Sequence, residues 1–551
     1  MPGRPVPPNS HYASRVERYQ STSERAPTGS SARRIAAASI VGLLIVAVLL
    51  RLVALGARVM HHDESLDAWW AWMYSTGRGY EYDPVYHGPL RIIVTGGLFE
   101  LFGASDTVAR LLPAICGLAL IGVPWMIRST LGRVGTVAAA IAIALSPSLV
   151  YFSRFGREDM TFAFLASVFS LGVVEHLRRP RPWLPVAIGA SAAAAAAVKE
   201  SIAITAFVLF VYLVALAVWE WRRDPDTTWG GRPLWRVLTA LGPRPWLIGS
   251  GVFVAIYVVS YSVFFTDPGG VWRGLYDGPK YWLLQHEVGR GSQPWTYYTH
   301  IVTAYEWPIL ILAAIGAVAA LRRPTKVGVF LVWSAVSQYV IYSWAGERYP
   351  WLVVHIVVPL CLLAGLGVRS VWGVREEVLG RVGLALGFVA VVWMVAVTYV
   401  TSHVRSADPR ELLVAVQTAP DVRDALAEVD RVVEAAAADG RTASVLVDSD
   451  DSGSWPLAWY LRDTPGVGFQ SFAGGTATPY DAALVMDANM AVTNPDPERH
   501  DLVAFEFRRT WLPDYGGASV RDWGDWYARR EVWNAPQVVY MWLVVAREAP
   551  R

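Results

Sequence analysis

Four short stretches of this 551-residue sequence set carboxylates beside cations or histidines. They are His61-His62-Asp63-Glu64, Arg154-Phe155-Gly156-Arg157-Glu158-Asp159, Lys199-Glu200 and Glu347-Arg348. A guanidinium or ammonium holds a phosphate through charge-assisted hydrogen bonds, and a carboxylate can take the proton of an attacking hydroxyl. Transfer from a phosphate-linked donor beside a membrane needs both signs. Mutual neutralisation explains the same pairs, because buried ions need partners. His61, His62 and His87 lie near these acids and are donors that a divalent metal accepts, yet their spacing matches no known metal cage, so no cofactor is assigned and a divalent metal stays open. Cys116 and Cys361 each sit inside an apolar run, which leaves neither a disulfide framework nor a cysteine metal site.

The elements that position these residues follow from hydropathy. With 54% hydrophobic and 17% charged residues the chain reads as a polytopic membrane protein, and a net charge of +2 argues against a nucleic-acid partner. The run Ile35 to Leu55 has the length of a membrane span and is too long for a cleaved signal peptide. Further runs near 106–127, 134–152, 159–177, 183–198, 201–219, 246–265, 301–321, 327–344, 350–368 and 382–400 bring the total to about eleven spans. Pro89 to Phe102 is apolar but too short to cross, and charge decides its placement. If it does not cross, about sixteen Arg and Lys residues fall in the inner loops and roughly seven in the outer ones (Arg154, Arg157, Lys199, Arg273, Lys280, Arg290, Arg348). If it crosses, every loop reverses and the positive-inside rule is violated. The chain is therefore expected to be a multi-pass plasma-membrane protein with a disordered basic tail (1–33) in the cytoplasm. A transmembrane domain (34–402) and an extracytoplasmic α/β domain (403–551) follow.

All four acidic clusters then share the outer face. In the first outer loop Leu66, Trp69, Trp70 and Met73 are spaced as one helical stripe, so that helix either lies flat in the headgroups or packs under the outer domain. The loop Asp267 to His300 carries Lys280, His286, Glu287 and Arg290, which line a headgroup or acceptor groove or form an ordinary interfacial helix. Beyond Val400, strands are expected at Ala443–Val447, Ala482–Met486, Asp501–Phe507 and Val538–Val545, with helices near 409–436 and 518–533.

The outer loop opening with Asp-Glu, the juxtamembrane helices, the SRFGREDM hairpin and the VKE hairpin together resemble the integral-membrane GT-C glycosyltransferases, over roughly residues 35–400. Within them the similarity is to the protein-mannosyltransferase and aminoarabinose-transferase branch. The stretches HHDES, YDPVYHGP, SRFGREDM and GERYPWLVVH look like the archaeal and bacterial flippase-activity-associated membrane proteins of surface N-glycan assembly. The resemblance implies a mainly α GT-C-like fold of about eleven transmembrane helices plus two juxtamembrane helices. It also implies a polyprenyl (dolichyl or undecaprenyl) phosphate sugar as donor, and a lipid, glycan or protein acceptor. Asp63 would be the catalytic base and Glu64 its motif partner, with Glu158 or Asp159 at the second acidic position. Lys199, Arg154, Arg157 or Arg348 would stabilise the departing phosphate, and His62, His87, Glu200 and Glu347 are further pocket candidates. The reaction implied is a single inverting displacement. The alternative is a non-catalytic flippase or accessory factor that binds the same lipid while the carboxylates only pair with cations. No WWDYG signature and no β-trefoil-like repeat is present, which argues against oligosaccharide transfer to Asn and against protein Ser or Thr acceptors.

Overall fold

The computed structural model describes residues 30–288, 291, 293–475 and 479–547. Of the expected tail 1–33, residues 1–29 lie outside this set, as do Arg290 and the side chains of His286 and Glu287. The described residues up to Leu49 belong to one unit, and the helix Ser30–Leu52 covers most of the expected first span. The rest of the chain, from Leu50 on, forms the second.

Among the described residues seven helices are long and apolar enough to cross a membrane, or eight if the bent pair Tyr297–Tyr305 and Trp307–Arg322 is one span. Trp183–Ala196 and Ile40–Leu52 are shorter apolar helices. The sequence count of about eleven is higher because it divided the 40-residue stretch Asp106–Leu145 in two, counted the runs that form these two shorter helices as spans, and took 301–321, which belongs to the bent pair, as a full crossing. The backbone does break there: Gly132, at φ 70° and ψ 174°, adopts a conformation that is essentially glycine's alone. Leu90–Phe102 is a helix of 13 residues ending at Gly103, about 20 Å long and short of a hydrocarbon core.

The helix Val353–Gly373 is almost wholly enclosed by its neighbours, and small residues let them approach. A Cβ on Gly316 would stand 1.9 Å from the Leu363 carbonyl, and one on Gly365 2.4 Å from the Gly135 carbonyl, so alanine at either position would force two backbones apart. This tight centre fixes the helix ends on which the charged clusters stand.

After the last membrane helix the chain forms a six-stranded sheet of β1 (Gln417–Thr418), β2 (Val445–Asp448), β3 (Val467–Gln470), β4 (Ala482–Met486), β5 (His500–Thr510) and β6 (Gln537–Ala546). Their order is β1-β5-β6-β4-β2-β3, with β2 parallel to β3 and β4 and the other pairs antiparallel. Val422, Ala425, Val429 and Ala436, on one face of the helix Val422–Ala438, cover Val447, Leu484, Phe507 and Leu543 of the sheet. This helix starts later than the sequence pattern placed it, because residues 409–421 are turns and the short β1.

Candidate functional site

The first acidic pair sits at the start of the helix His62–Ser75. His61 Nδ1 accepts from the Asp63 N–H (3.0 Å) while Glu64 Oε2 accepts from the His61 N–H (2.9 Å), a reciprocal cap that fixes the first turn. Burial pushes the His61 imidazolium down to about 4, so the ring is neutral, and its Nε2–H is left to donate to the Ala415 carbonyl (3.0 Å). Two acids in that turn also face the positive end of the helix dipole.

The cap sends the two carboxylates in opposite directions. Glu64 is wholly enclosed at 0% side-chain exposure and accepts from Arg110 Nε (2.8 Å) and Nη2 (2.7 Å), Arg58 Nη2 (3.3 Å) and the Gly156 N–H (2.6 Å). Burial works to raise its carboxyl, but the two arginines and these hydrogen bonds hold it well below the ordinary carboxylate range. Asp63 is 27% exposed and is ion-paired with Arg157. Against the effect of its burial, the Arg157 guanidinium above all keeps it below its usual value.

The SRFGREDM turn supplies the next layer. Arg157 precedes the helix Glu158–Arg178 and bridges Asp63 to Glu158 (2.9 Å), its guanidinium lying 4.6 Å over the Trp351 ring. Lys199, at the Ala197–Glu200 hairpin, donates to Asp159 (2.6 Å) and Glu158 (3.0 Å), and these two acids outweigh burial to raise its ammonium. The loop before Leu90 is pinned to that hairpin by Gly88 N–H to Val198 O (3.2 Å) and Leu90 N–H to Ala197 O (2.9 Å). A Cβ on Gly88 would meet the Ala197 carbonyl at 2.2 Å. His87 is thereby set between Glu200 (2.9 Å) and Glu158 (3.2 Å) and stacked on Trp282 at 4.6 Å. Burial alone would lower His87, but Glu158 and Glu200 raise it.

Asp63, Arg157, His62, His87 and Glu347 line one cavity of about 400 Å³, floored by Trp351, Tyr349 and Trp282, a size suited to a small ligand or a sugar. Glu158, Asp159, Lys199 and Glu200 stand behind this wall in ion pairs. Arg154 and Arg348 do not reach it. Arg154 donates to the carbonyls of Leu50, Arg51, Val53 and Ala54 (2.8–3.2 Å), and Arg348 to those of Ser343 (2.9 Å) and Gln293 (2.6 Å). Both therefore hold backbone. Among the described residues no group of three or more His, Cys, Asp or Glu side chains is arranged to hold a metal ion.

Several residues of the site escaped the sequence reading. Arg110 lies in an apolar run, and Arg91, paired with Asp67, begins one. His355, 3.5 Å from Asp159, stands in the GERYPWLVVH stretch as a single polar residue within an apolar run. Arg508 comes from β5, where a register shift falls between Glu506 and Arg508, and it lines the cavity together with Val416 and Ser452. It donates to the carbonyls of Asp451 (3.1 Å) and Trp455 (2.8 Å), while among the described residues its Nε has no hydrogen-bond partner. Burial lowers its guanidinium to about 10, opposed by the charge of Asp63. The helix His62–Ser75 packs against this domain: its Trp69 and Trp72 join one apolar cluster with Trp459, whose indole N–H donates to Asp106 (2.8 Å).

A family model described as dolichyl-phosphate-mannose-protein mannosyltransferase matches residues 86–230, the segment holding His87, the SRFGREDM turn and Lys199-Glu200. Curated protein sequences give no significant match. Among solved structures, ArnT from Cupriavidus metallidurans in the apo state aligns at TM-score 0.59 and 18% identity, covering 84% of this chain and 95% of that one. The same protein bound to undecaprenyl phosphate aligns at TM-score 0.56 and 17% identity, covering 93% and 99%. The archaeal oligosaccharyltransferase AglB from Archaeoglobus fulgidus, in complex with an inhibitory peptide and a dolichol-phosphate, aligns at TM-score 0.51 and 12% identity, covering 83% and 70%. At such identities the likeness is one of fold.

Proposed function

We propose that this chain, a polytopic membrane protein with the GT-C glycosyltransferase fold, transfers a sugar from a polyprenyl-phosphate donor to an acceptor hydroxyl in the cavity lined by Asp63. One observation carries the reading: Asp63 is open to the cavity at 27% exposure, whereas Glu64, Glu158 and Asp159 are closed off at 0–2%. An ionised, accessible carboxylate on the wall of a sugar-sized cavity suits a general base. Asp63 takes the acceptor's proton as the acceptor oxygen bonds to the anomeric carbon. The carbon–oxygen bond to the lipid phosphate breaks with its electron pair going to the phosphate, and the configuration inverts. A phosphate leaves ionised, so no general acid is needed. Of the four cations expected to meet that charge, Arg157 is the one on the cavity wall, and it is our candidate for the donor phosphate. Lys199 then holds Glu158 and Asp159 in place, and Glu64 positions the helix turn of Asp63.

The arginine asymmetry of the loops supports an extracytoplasmic site, a cytoplasmic N-terminus and an outer domain from about residue 403. ArnT bound to undecaprenyl phosphate and AglB in complex with a dolichol-phosphate support a polyprenyl phosphate as the donor's carrier. Release of polyprenyl phosphate by the full chain in nanodiscs, given defined polyprenyl-phosphate sugars, tests the reaction. Asp63→Asn should lower turnover about 10²- to 10⁴-fold. Equal turnover would remove Asp63 as the base. Transbilayer movement of labelled lipid with no turnover by either protein would favour the flippase reading.

A further inference from the structure

A second cavity, of about 620 Å³, opens where two helices end: Ala57, Arg58 and Val59 follow the first helix, and His403 and Val404 close the last span. Cations outnumber acids on its wall. Arg58, Arg410, Arg423 and Arg509 line it against the single carboxylate of Asp408. Asp408 pairs with Arg410 (2.7 Å), and Arg509 is turned partly toward Glu506 and Asp421. Among the described residues no carboxylate stands within ion-pair distance of Arg423, which donates to the Gly56 carbonyl (3.2 Å). Arg58 is only 7% exposed; its Nη2 pairs with Glu64 (3.3 Å), while among the described residues its buried Nε has no hydrogen-bond partner. A buried guanidinium N–H left unmatched costs free energy that an anionic acceptor would recover.

The location indicates what carries the anion. Val404, on the cavity wall, is 64% exposed, and it ends the span Val378–Val404, which shows Val389, Val392 and Tyr399 outward along its length. An amphiphile with its head among the arginines would lay its tails along that lipid-facing helix. We infer that this cavity binds the phosphate headgroup of a membrane lipid, at a site separate from the one that contains Asp63. The inference does not depend on the transferase reading. Arg58 belongs to both neighbourhoods, since it also donates to Glu64 (3.3 Å), so a bound headgroup shares a guanidinium with the turn that carries Asp63.

The test is lipid retention by the purified full chain, read by native mass spectrometry after exchange from mixed phosphatidylglycerol and phosphatidylcholine micelles. Phosphatidylglycerol should be retained, and the double variant Arg423→Gln, Arg509→Gln should lose about tenfold in retention. Asp408→Asn removes the one carboxylate of the wall and should strengthen retention about fivefold, a direction that a misfolded variant would not give. Equal retention of both lipids, or the same phosphatidylglycerol retention by all variants, would overturn the site. Displacement of the lipid by millimolar inorganic phosphate alone would show that the cavity takes free phosphate and would overturn the lipid assignment.

Discussion

Replacing Glu64 by Gln and Asp63 by Asn should separate support from chemistry within one dipeptide. Glu64 has 0% side-chain exposure and faces Arg110 and Arg58. Glutamine keeps the volume but removes the charge and turns an amide donor toward groups that already donate. Removing one partner of a buried ion pair costs about 3–5 kcal/mol, because the remaining charge stays behind uncompensated. Asp63 is 27% exposed, and without it Arg157 keeps Glu158 at 2.9 Å, so Asp63→Asn should cost at most about 1 kcal/mol. Tryptophan-fluorescence unfolding in detergent, paired with turnover per folded molecule, reads both effects. The expected result is a destabilised Glu64→Gln that retains most of its turnover when folded, and a stable Asp63→Asn that has lost it. The sign with pH follows from the depressed Glu64 carboxyl. A carboxyl lower in the folded than in the unfolded state contributes stability in full above its unfolded value and loses it only as pH falls through the folded one. The stability gap between wild type and Glu64→Gln should therefore stay constant from pH 8 to about 5 and narrow only in stronger acid. A Glu64→Gln protein as stable as wild type but as inactive as Asp63→Asn would refute the division of roles.

His87 is raised by Glu158 and Glu200, so its contribution is complete below the ordinary histidine value and is lost as pH climbs through the folded one; thermal unfolding should show wild type losing its advantage over His87→Gln above about pH 6.5. Arg508→Gln should raise the KM for donor or acceptor about tenfold or more, the worth of one charge-assisted hydrogen bond, with a smaller effect on kcat in steady-state turnover. Arg154→Ala should lower unfolding stability by about 2–4 kcal/mol through four carbonyls left without their donor, with kcat per folded molecule unchanged. The acid limb of kcat should lie at higher pH than that of kcat/KM, measured as pH–rate profiles, and coincident limbs would contradict the role given to Arg157.

The sequence made the membrane segments legible because hydropathy is a local sum, and even the break at Gly132 fell between two runs. The site was legible to the extent that charge is conspicuous among apolar residues. Asp63, Glu158, Asp159, Lys199, Glu200 and His87 do assemble, since each stands at the end of a helix and the helix ends meet on one face. What spacing could not convey was side-chain direction. Asp63 and Glu64 are adjacent, yet a capping geometry opens one to the cavity and closes the other. Arg154 and Arg157 lie on one short turn, yet the first holds backbone carbonyls and the second bridges two acids. Arg508 was out of reach for a different reason: a strand more than 400 residues along the chain from Asp63 carries it to the cavity, through a register shift that no local pattern announces. Strands β1 and β3 were missed because the first has two residues and the second alternates weakly around Gly468.

A base with a depressed carboxyl value is a weak base, and this is the main physical objection to Asp63. Its resolution lies in Arg157, whose ion pair with Asp63 is a chief cause of the depression. A donor phosphate entering the cavity competes for that guanidinium, which is already shared with Glu158 and seated over Trp351. The donor's phosphodiester carries one charge and two free acceptor oxygens, and it gains a second charge and a third free oxygen as the sugar departs, so the guanidinium turns toward it and Asp63 is left with less compensation. Its basicity then rises in the donor complex, where it is needed, while in the free protein it stays ionised and paired. Glu158 and Asp159, anchored by Lys199, are too enclosed to respond in the same way, so one cation on the wall serves both the resting carboxylate and the departing phosphate.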